Sequence, residues 1–142
     1  MRALMGTMRI AAVVLAAGEG RRIGGPKALL SISGVSFLAR TCGQFALAGV
    51  DDVVAVLGAQ ADRVRAEAGF ADGVSVAVNE AWRSGMLSSI WCGIAAAESA
   101  GADAVLVHPV DNPSVTLATI REVVSALTAG AAIAIPSHAG RR

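Results

Sequence analysis

Apolar positions along this chain follow two rhythms that alternate. Five short runs are apolar almost without interruption: Ile10–Ala16, Asp52–Leu57, Val74–Val78, Ala104–His108 and Ala132–Ile135. Between them lie alanine-rich stretches of helical length, Phe37–Leu47, Ala59–Ala68, Met86–Ser99 and Thr116–Thr128. In the third stretch Met86, Ile90, Ile94 and Ala97 recur at helical spacing and predict its inward face. Apolar strands separated by helices predict a parallel sheet covered on both sides. The expected fold class is α/β, a doubly wound, mostly parallel sheet with helices on both faces. In such sheets ligands sit beyond the carboxyl ends of the strands, near the point where strand order reverses.

The first run empties into Leu15-Ala16-Ala17-Gly18-Glu19-Gly20-Arg21-Arg22-Ile23-Gly24-Gly25-Pro26-Lys27. Glycines let backbone N–H groups close on phosphate oxygens, and Arg21, Arg22 and Lys27 supply neutralising charge. This density of glycine and like charge beside a core strand predicts an anion cradle. The plainer alternative is a surface turn with solvated arginines. A Walker A loop is excluded, because Pro26 precedes Lys27 and Ala28 follows it. The dinucleotide fingerprint is a near miss: Gly18 and Gly20 fit, Ile23 takes the third glycine position, and Leu57-Gly58 offers no acid for a ribose.

Two more polar clusters follow predicted strands and so fall on the same rim. Asn79-Glu80-Ala81-Trp82-Arg83-Ser84-Gly85-Met86-Leu87-Ser88-Ser89 opens a helix whose first turn carries two hydroxyls. Free N–H groups at a helix start, with Ser88 and Ser89, can donate towards a base or phosphate. Ordinary capping, with Trp82 as a lid on the core, is the alternative. Val110-Asp111-Asn112-Pro113 places an acid just past a strand, suited to a hard cation such as Mg²⁺ or simply to a turn. Gly58 and Gln60 read as an ordinary turn, and His108 and His138 as rim histidines without a nucleophile or metal partner.

Composition narrows the classes. With 142 residues and 54% hydrophobic content the chain can bury a core as one domain. A net charge of +1, 4% aromatic residues and no tyrosine argue against a nucleic-acid surface. The run Ile10–Ala17 is too short to span a membrane, and Met1–Arg9 lacks the pattern of a cleaved leader. Cys42 and Cys92 lack disulfide or zinc spacing and predict buried thiols in a reducing compartment, so the expected location is cytoplasmic. Met5 or Met8 is an alternative start. The close on Arg141-Arg142, just past a strand-like run, predicts the N-terminal portion of a longer domain.

The pattern Leu-Ala-Ala-Gly-x-x-x-Arg-x-Gly-x-Pro-Lys resembles the loop of MobA-like nucleotidyltransferases of molybdenum-cofactor synthesis, as does Asn-x-x-Trp-x-x-Gly-Met-x-Ser-Ser. Gly20 departs where a serine is common, and Ile23 where methionine is. The resemblance covers about Arg9 to Gly140. It implies a Rossmann-like nucleotidyltransferase fold and nucleotide contacts from Leu15, Ala16, Ala17, Gly18, Gly20, Arg22, Lys27, Asn79, Gly85, Ser88 and Ser89. It implies catalytic roles for Arg22, Lys27 and Asp111, with Asp111 as ligand to Mg²⁺ and further ligands beyond Arg142. Ala17 favours the cytidylyltransferase branch, whose reaction moves CMP from CTP onto a phosphorylated acceptor such as molybdenum cofactor. Alternatives on the same scaffold are an NAD(P)H-dependent oxidoreductase and a non-catalytic protein that hands the cofactor to a molybdoenzyme.

Overall fold

The computed structural model describes residues 6–140; Met5 and the Arg141-Arg142 close lie outside them. Four strands form a parallel sheet, β1 (Ile10–Ala16), β4 (Asp52–Leu57), β5 (Val74–Val78) and β6 (Ala104–Pro109), in the order β5-β4-β1-β6. A two-stranded antiparallel hairpin, β2 (Ser31–Ile32) and β3 (Val35–Ser36), stands apart from it. The helices are α1 (Phe37–Leu47), α2 (Ala61–Glu67), α3 (Met86–Ser99) and α4 (Leu117–Thr128).

Every residue of β1 is buried because the strand is sandwiched both in the sheet and between layers. Its alternating side chains feed two cores. Ile10, Ala12, Val14 and Ala16 pack with Leu38, Cys42 and Phe45 of α1, Val64 of α2, and Ile120 and Leu127 of α4. Ala11, Val13 and Leu15 face α3 instead. The sheet is thus wound on both sides, with three helices on one face and α3 on the other. The start of β1 is pinned by Asp51, which accepts from the Ile10 amide at 2.7 Å, and by Asp103, which accepts from the Arg9 amide at 2.8 Å.

The chain steps outward from β1 through β4 to β5, then α3 carries it back to β6 on the other side of β1. Strand order therefore reverses between β1 and β6, and the crevice at their carboxyl ends is the ligand position of this architecture.

Three expectations need correction. Ala132–Ile135 forms no strand: among the described residues no strand pairs with it, Ile133 and Ile135 are exposed, and only Ala134 packs on the core. An apolar run becomes a strand only where a ladder receives its N–H and C=O groups. The buried stripe of α3 is Ser89, Gly93 and Ala97, with Ile90 and Ile94 half-buried and Met86 exposed. Small residues win because the helix lies tight on the sheet: a Cβ on Gly93 would stand 2.2 Å from Val13 Cγ1 and 2.9 Å from Val56 Cγ2. Cys42 is buried and its thiol is pushed up to about 12 by desolvation, whereas Cys92 is only half-buried, its pKa raised for the same reason.

The hairpin is an element beyond the predicted ones: Ser33 (φ 53°) and Gly34 (φ 80°) form a left-handed two-residue turn between Ile32 and Val35. Its last residue, Ser36, caps α1 by accepting from the Ala39 amide at 3.0 Å and donates to the Ala68 carbonyl that ends α2.

The α3 packing predicts that Gly93→Ala destabilises the fold by about 1–3 kcal/mol through overpacking. Gly43→Ala, at a helical position with nothing near the added carbon, should instead stabilise by roughly 0.5–1 kcal/mol. Urea unfolding of the two variants reads both signs.

Candidate active site

Lateral hydrogen bonds lace the strand exits together. The Leu15 carbonyl accepts from the Val110 amide at 3.0 Å, joining the exits of β1 and β6. The Ala17 carbonyl accepts from Ala59 at 3.1 Å, and the Leu57 carbonyl from Asn79 at 2.7 Å, extending the line across β4 to the segment after β5. Above it opens a cleft of about 350 Å³ lined by Leu15, Ala16, Ala17, Gly18, Gly20, Lys27, Gly85, Ser89 and Asp111, together with Trp82 and Met86. That volume lies at the small end of the range for ligand pockets, roughly 300–1,000 Å³.

The glycine loop is curled on itself. Gly20 (φ 66°) turns the chain, and its carbonyl accepts from the Ile23 and Gly25 amides at 3.1 and 3.2 Å. A Cβ here would lie 1.7 Å from the Gly25 carbonyl oxygen, so this backbone admits no serine at the position. Among the described residues the amides of Gly18, Glu19 and Gly20 have no acceptor, which leaves them for an anion. Pro26 (φ −60°) then starts the short 3₁₀ turn Lys27–Leu29. That turn brings Lys27 Nζ to 3.6 Å from Asp111 Oδ2, both side chains about half exposed. The loop and the β6 exit therefore face one another across the cleft with opposite charge.

The third wall starts at Gly85, whose φ of 109° and ψ of 175° lie in a region essentially reserved for glycine, and opens α3. Beneath it Asn79 is buried. Its amide donates to Ser88 Oγ at 2.8 Å and Ser89 Oγ at 3.0 Å, while its own oxygen accepts from the Ala81 amide at 3.0 Å. Ser88 Oγ in turn donates to the Gly85 carbonyl at 2.7 Å. Ser89 lines the cleft, and its hydroxyl proton has no acceptor among the described residues.

The expected residues thus separate. Leu15, Ala16, Ala17, Gly18, Gly20, Lys27, Gly85, Ser89 and Asp111 share the cleft, whereas Arg22, Asn79 and Ser88 do not line it. Arg22 points from an exposed 3₁₀ turn, and Asn79 and Ser88 spend their polar groups on each other and on the loop backbone. Trp82 and Met86, read respectively as a core lid and as part of the inward stripe of α3, are cleft residues. Trp82 packs against Gly58 just past β4, a contact no local spacing reveals. His108 is a satisfied rim histidine whose Nε2 sits 2.8 Å from the Asn112 carbonyl, its ring edge-on to Phe45.

A single carboxylate, Asp111, faces the cleft, and no group of three or more potential metal ligands occurs among the described residues. This donor set fits a hard divalent cation that takes most of its oxygens from phosphate and water. It does not fit a cation held by protein alone.

The cleft gathers loose amides, a lysine and one acid at the switch point of the parallel sheet of an α/β domain. The chain belongs to the MobA-like NTP transferase domain family, whose model matches residues 12–142. It is 39% identical over 112 residues to a nicotine blue oxidoreductase of Paenarthrobacter nicotinovorans (78% of this chain, 53% of that protein). It is 35% identical to a molybdenum cofactor guanylyltransferase of Rhodobacter capsulatus over 134 residues (93% of this chain, 62% of that protein). A 2-C-methyl-D-erythritol 4-phosphate cytidylyltransferase of Cereibacter sphaeroides is 37% identical (91% of this chain, 59% of that protein). Among solved structures, Rv0371c of Mycobacterium tuberculosis H37Rv superposes with a TM-score of 0.77 at 33% identity, over 88% of this chain and 63% of that one. A manganese complex of Rv0371c superposes with a TM-score of 0.68 at 28% identity, covering 87% and 62%. The chain spans between about half and five-eighths of these proteins' length. No helix among the described residues is long and apolar enough to cross a membrane.

Asn79→Ala should cost about 1–3 kcal/mol, because Ser89 and the Ala81 amide each lose a buried partner. Ser84→Ala, which removes an exposed bond to the Ala81 carbonyl, should stay within about 0.5 kcal/mol. Chemical denaturation of both variants checks the contrast.

Proposed function

We propose that this domain transfers a nucleoside monophosphate, CMP from CTP, to a phosphorylated acceptor such as molybdenum cofactor, releasing pyrophosphate. The observation that supports it is Lys27 facing Asp111 at 3.6 Å under the free amides of the glycine loop. An oxygen of the acceptor phosphate attacks the α-phosphorus in line as the bond to the β-phosphate bridging oxygen breaks, its electrons leaving with pyrophosphate. Such chemistry needs positioning and charge neutralisation rather than a covalent nucleophile.

In this reading the amides of Gly18 to Gly20 hold the phosphates, and Lys27 offsets charge growing at the α-phosphate and the leaving group. Arg22 adds charge from the exposed flank of the loop. Asp111 would hold the Mg²⁺ ion, which neutralises phosphate charge when bound. Ser89, with its free hydroxyl proton, and the backbone of Leu15 to Ala17 take the base and ribose. Gly85 lets the α3 start approach, and Asn79 and Ser88 brace it. Preference for CTP rests on Ala17 and on two serines, Ser88 and Ser89, and relatives named for guanylyl and cytidylyl transfer both lie within similar identity. A cytoplasmic location and delivery of product to a molybdoenzyme belong to the same reading.

The name of one relative, an oxidoreductase at 39% identity, favours a second reading in which a nicotinamide cofactor enters this cleft. Against it, the β4 exit at Leu57-Gly58 carries no acid for a ribose and packs on Trp82 instead.

Thermal-shift titration with CTP, GTP, ATP, NADH and NADPH in Mg²⁺ separates these readings. Stabilisation by CTP supports the first, and stabilisation by NADPH alone overturns it. Lys27→Ala should lower pyrophosphate release by at least 100-fold, about 3 kcal/mol of transition-state stabilisation. Its effect on folding should stay under about 1 kcal/mol, since the pair with Asp111 is half exposed. A variant that releases pyrophosphate at a near-parental rate would remove Lys27 from the mechanism.

A further inference from the structure

Sequence patterning marks Gly58 as part of an ordinary turn, but it stands where three strand exits meet. Its neighbours on either side carry the lacing bonds: the Ala59 amide donates to Ala17 at 3.1 Å, and the Leu57 carbonyl accepts from Asn79 at 2.7 Å. A Cβ on Gly58 would lie 2.6 Å from Trp82 Cβ, 2.9 Å from Trp82 Cγ and 2.9 Å from Ala17 Cβ. Ala17 and Trp82 both line the cleft, and Gly58 does not. Its φ is not among the positive ones, so the need for glycine here is steric rather than conformational.

We infer that Gly58 is a positioning residue for nucleotide binding: its missing side chain lets Trp82 and Ala17 close on the β4 exit, and so sets the spacing between the glycine loop and the Trp82 turn. The inference rests on the reading of the cleft as a nucleotide site. Carbon atoms settle at about 3.5–4.0 Å, so a methyl at this position moves Trp82 or Ala17 by about 1 Å. Neither neighbour yields alone. Ala17 continues the fully buried β1, and the Trp82 turn hangs from Asn79 through the amide of Trp82, which donates to the Asn79 carbonyl at 3.3 Å. The Arg83 guanidinium, 4.3 Å from the indole centroid, further fixes the ring. The displacement therefore passes into the cleft walls. Misplacing substrate-holding groups by about 1 Å costs up to about 100-fold.

Trp82 reports on the test itself. The chain has two tryptophans, and Trp91 is exposed on α3 outside the cleft, so Trp91→Phe leaves Trp82 as the only emitter. In that parent, Mg²⁺ with CTP, GTP or ATP is titrated against Trp82 emission, and the best binder is carried forward. Gly58→Ala should shift Trp82 emission before any ligand is added and weaken the nucleotide ten- to 100-fold. A variant with parental emission and parental affinity overturns the inference alone. A parent that binds none of the three nucleotides overturns the functional reading and the inference with it. If Gly58→Ala does not fold, Trp82→Gly and Trp82→Gly/Gly58→Ala decide by calorimetric titration, since two of the three close contact atoms, the nearest included, are then gone and Ala17 Cβ at 2.9 Å is left. The double variant should fold and bind within threefold of Trp82→Gly; one that is unfolded or tenfold weaker overturns the inference.

Discussion

The carbonyls at the end of β1 hold the site together. Leu15 and Ala17 accept from the exits of β6 and β4, one on each side. Because β1 is buried along its whole length, these carbonyls have no water to turn to, and the neighbouring exits complete their hydrogen bonding. The rim is therefore a hydrogen-bonded line rather than a set of independent loops. Gly18 to Lys27, the Trp82 turn and Asp111 each start from a point on that line. Their mutual spacing is inherited from the register of the sheet.

On this hydrogen-bonded line the charges are sparse and half exposed. Lys27 and Asp111 are half exposed and face each other beyond ordinary hydrogen-bond length. Such a pair adds little to folding, and under the proposed function its two members would take phosphate and cation. Relatives named for guanylyl transfer, cytidylyl transfer and oxidoreduction match most of this chain at 35–39% identity, so one fold carries differently named activities.

Much of this was legible along the chain. The four paired strands and four helices show in the alternation of apolar runs and alanine-rich stretches, because burial on both faces leaves no polar period in β1 or β4. The glycine loop and Asp111 were visible as chemistry placed just after strands. The hairpin carries a local signal too, the Ser33-Gly34 turn between Ile32 and Val35. Ala132–Ile135 was misread, since hydrophobicity reports burial or its potential, while a strand also needs a partner. The α3 stripe was misread for a related reason: periodicity marks large apolar residues, but a helix lying close on Val13 and Val56 selects glycine and serine.

The one-dimensional pattern by itself determined the class of fold and set a glycine-rich, cationic loop and an acid just past strand ends. These follow from local chemistry: burial period, glycine content, and charge beside a strand end. Only the tertiary structure decided that Asn79 and Ser88 brace the site while Ser89 keeps a free hydroxyl, that Arg22 stays outside, and that Gly58 touches both Ala17 and Trp82. Those outcomes depend on which atoms of distant segments compete for one small volume, and no spacing along a chain contains that distance.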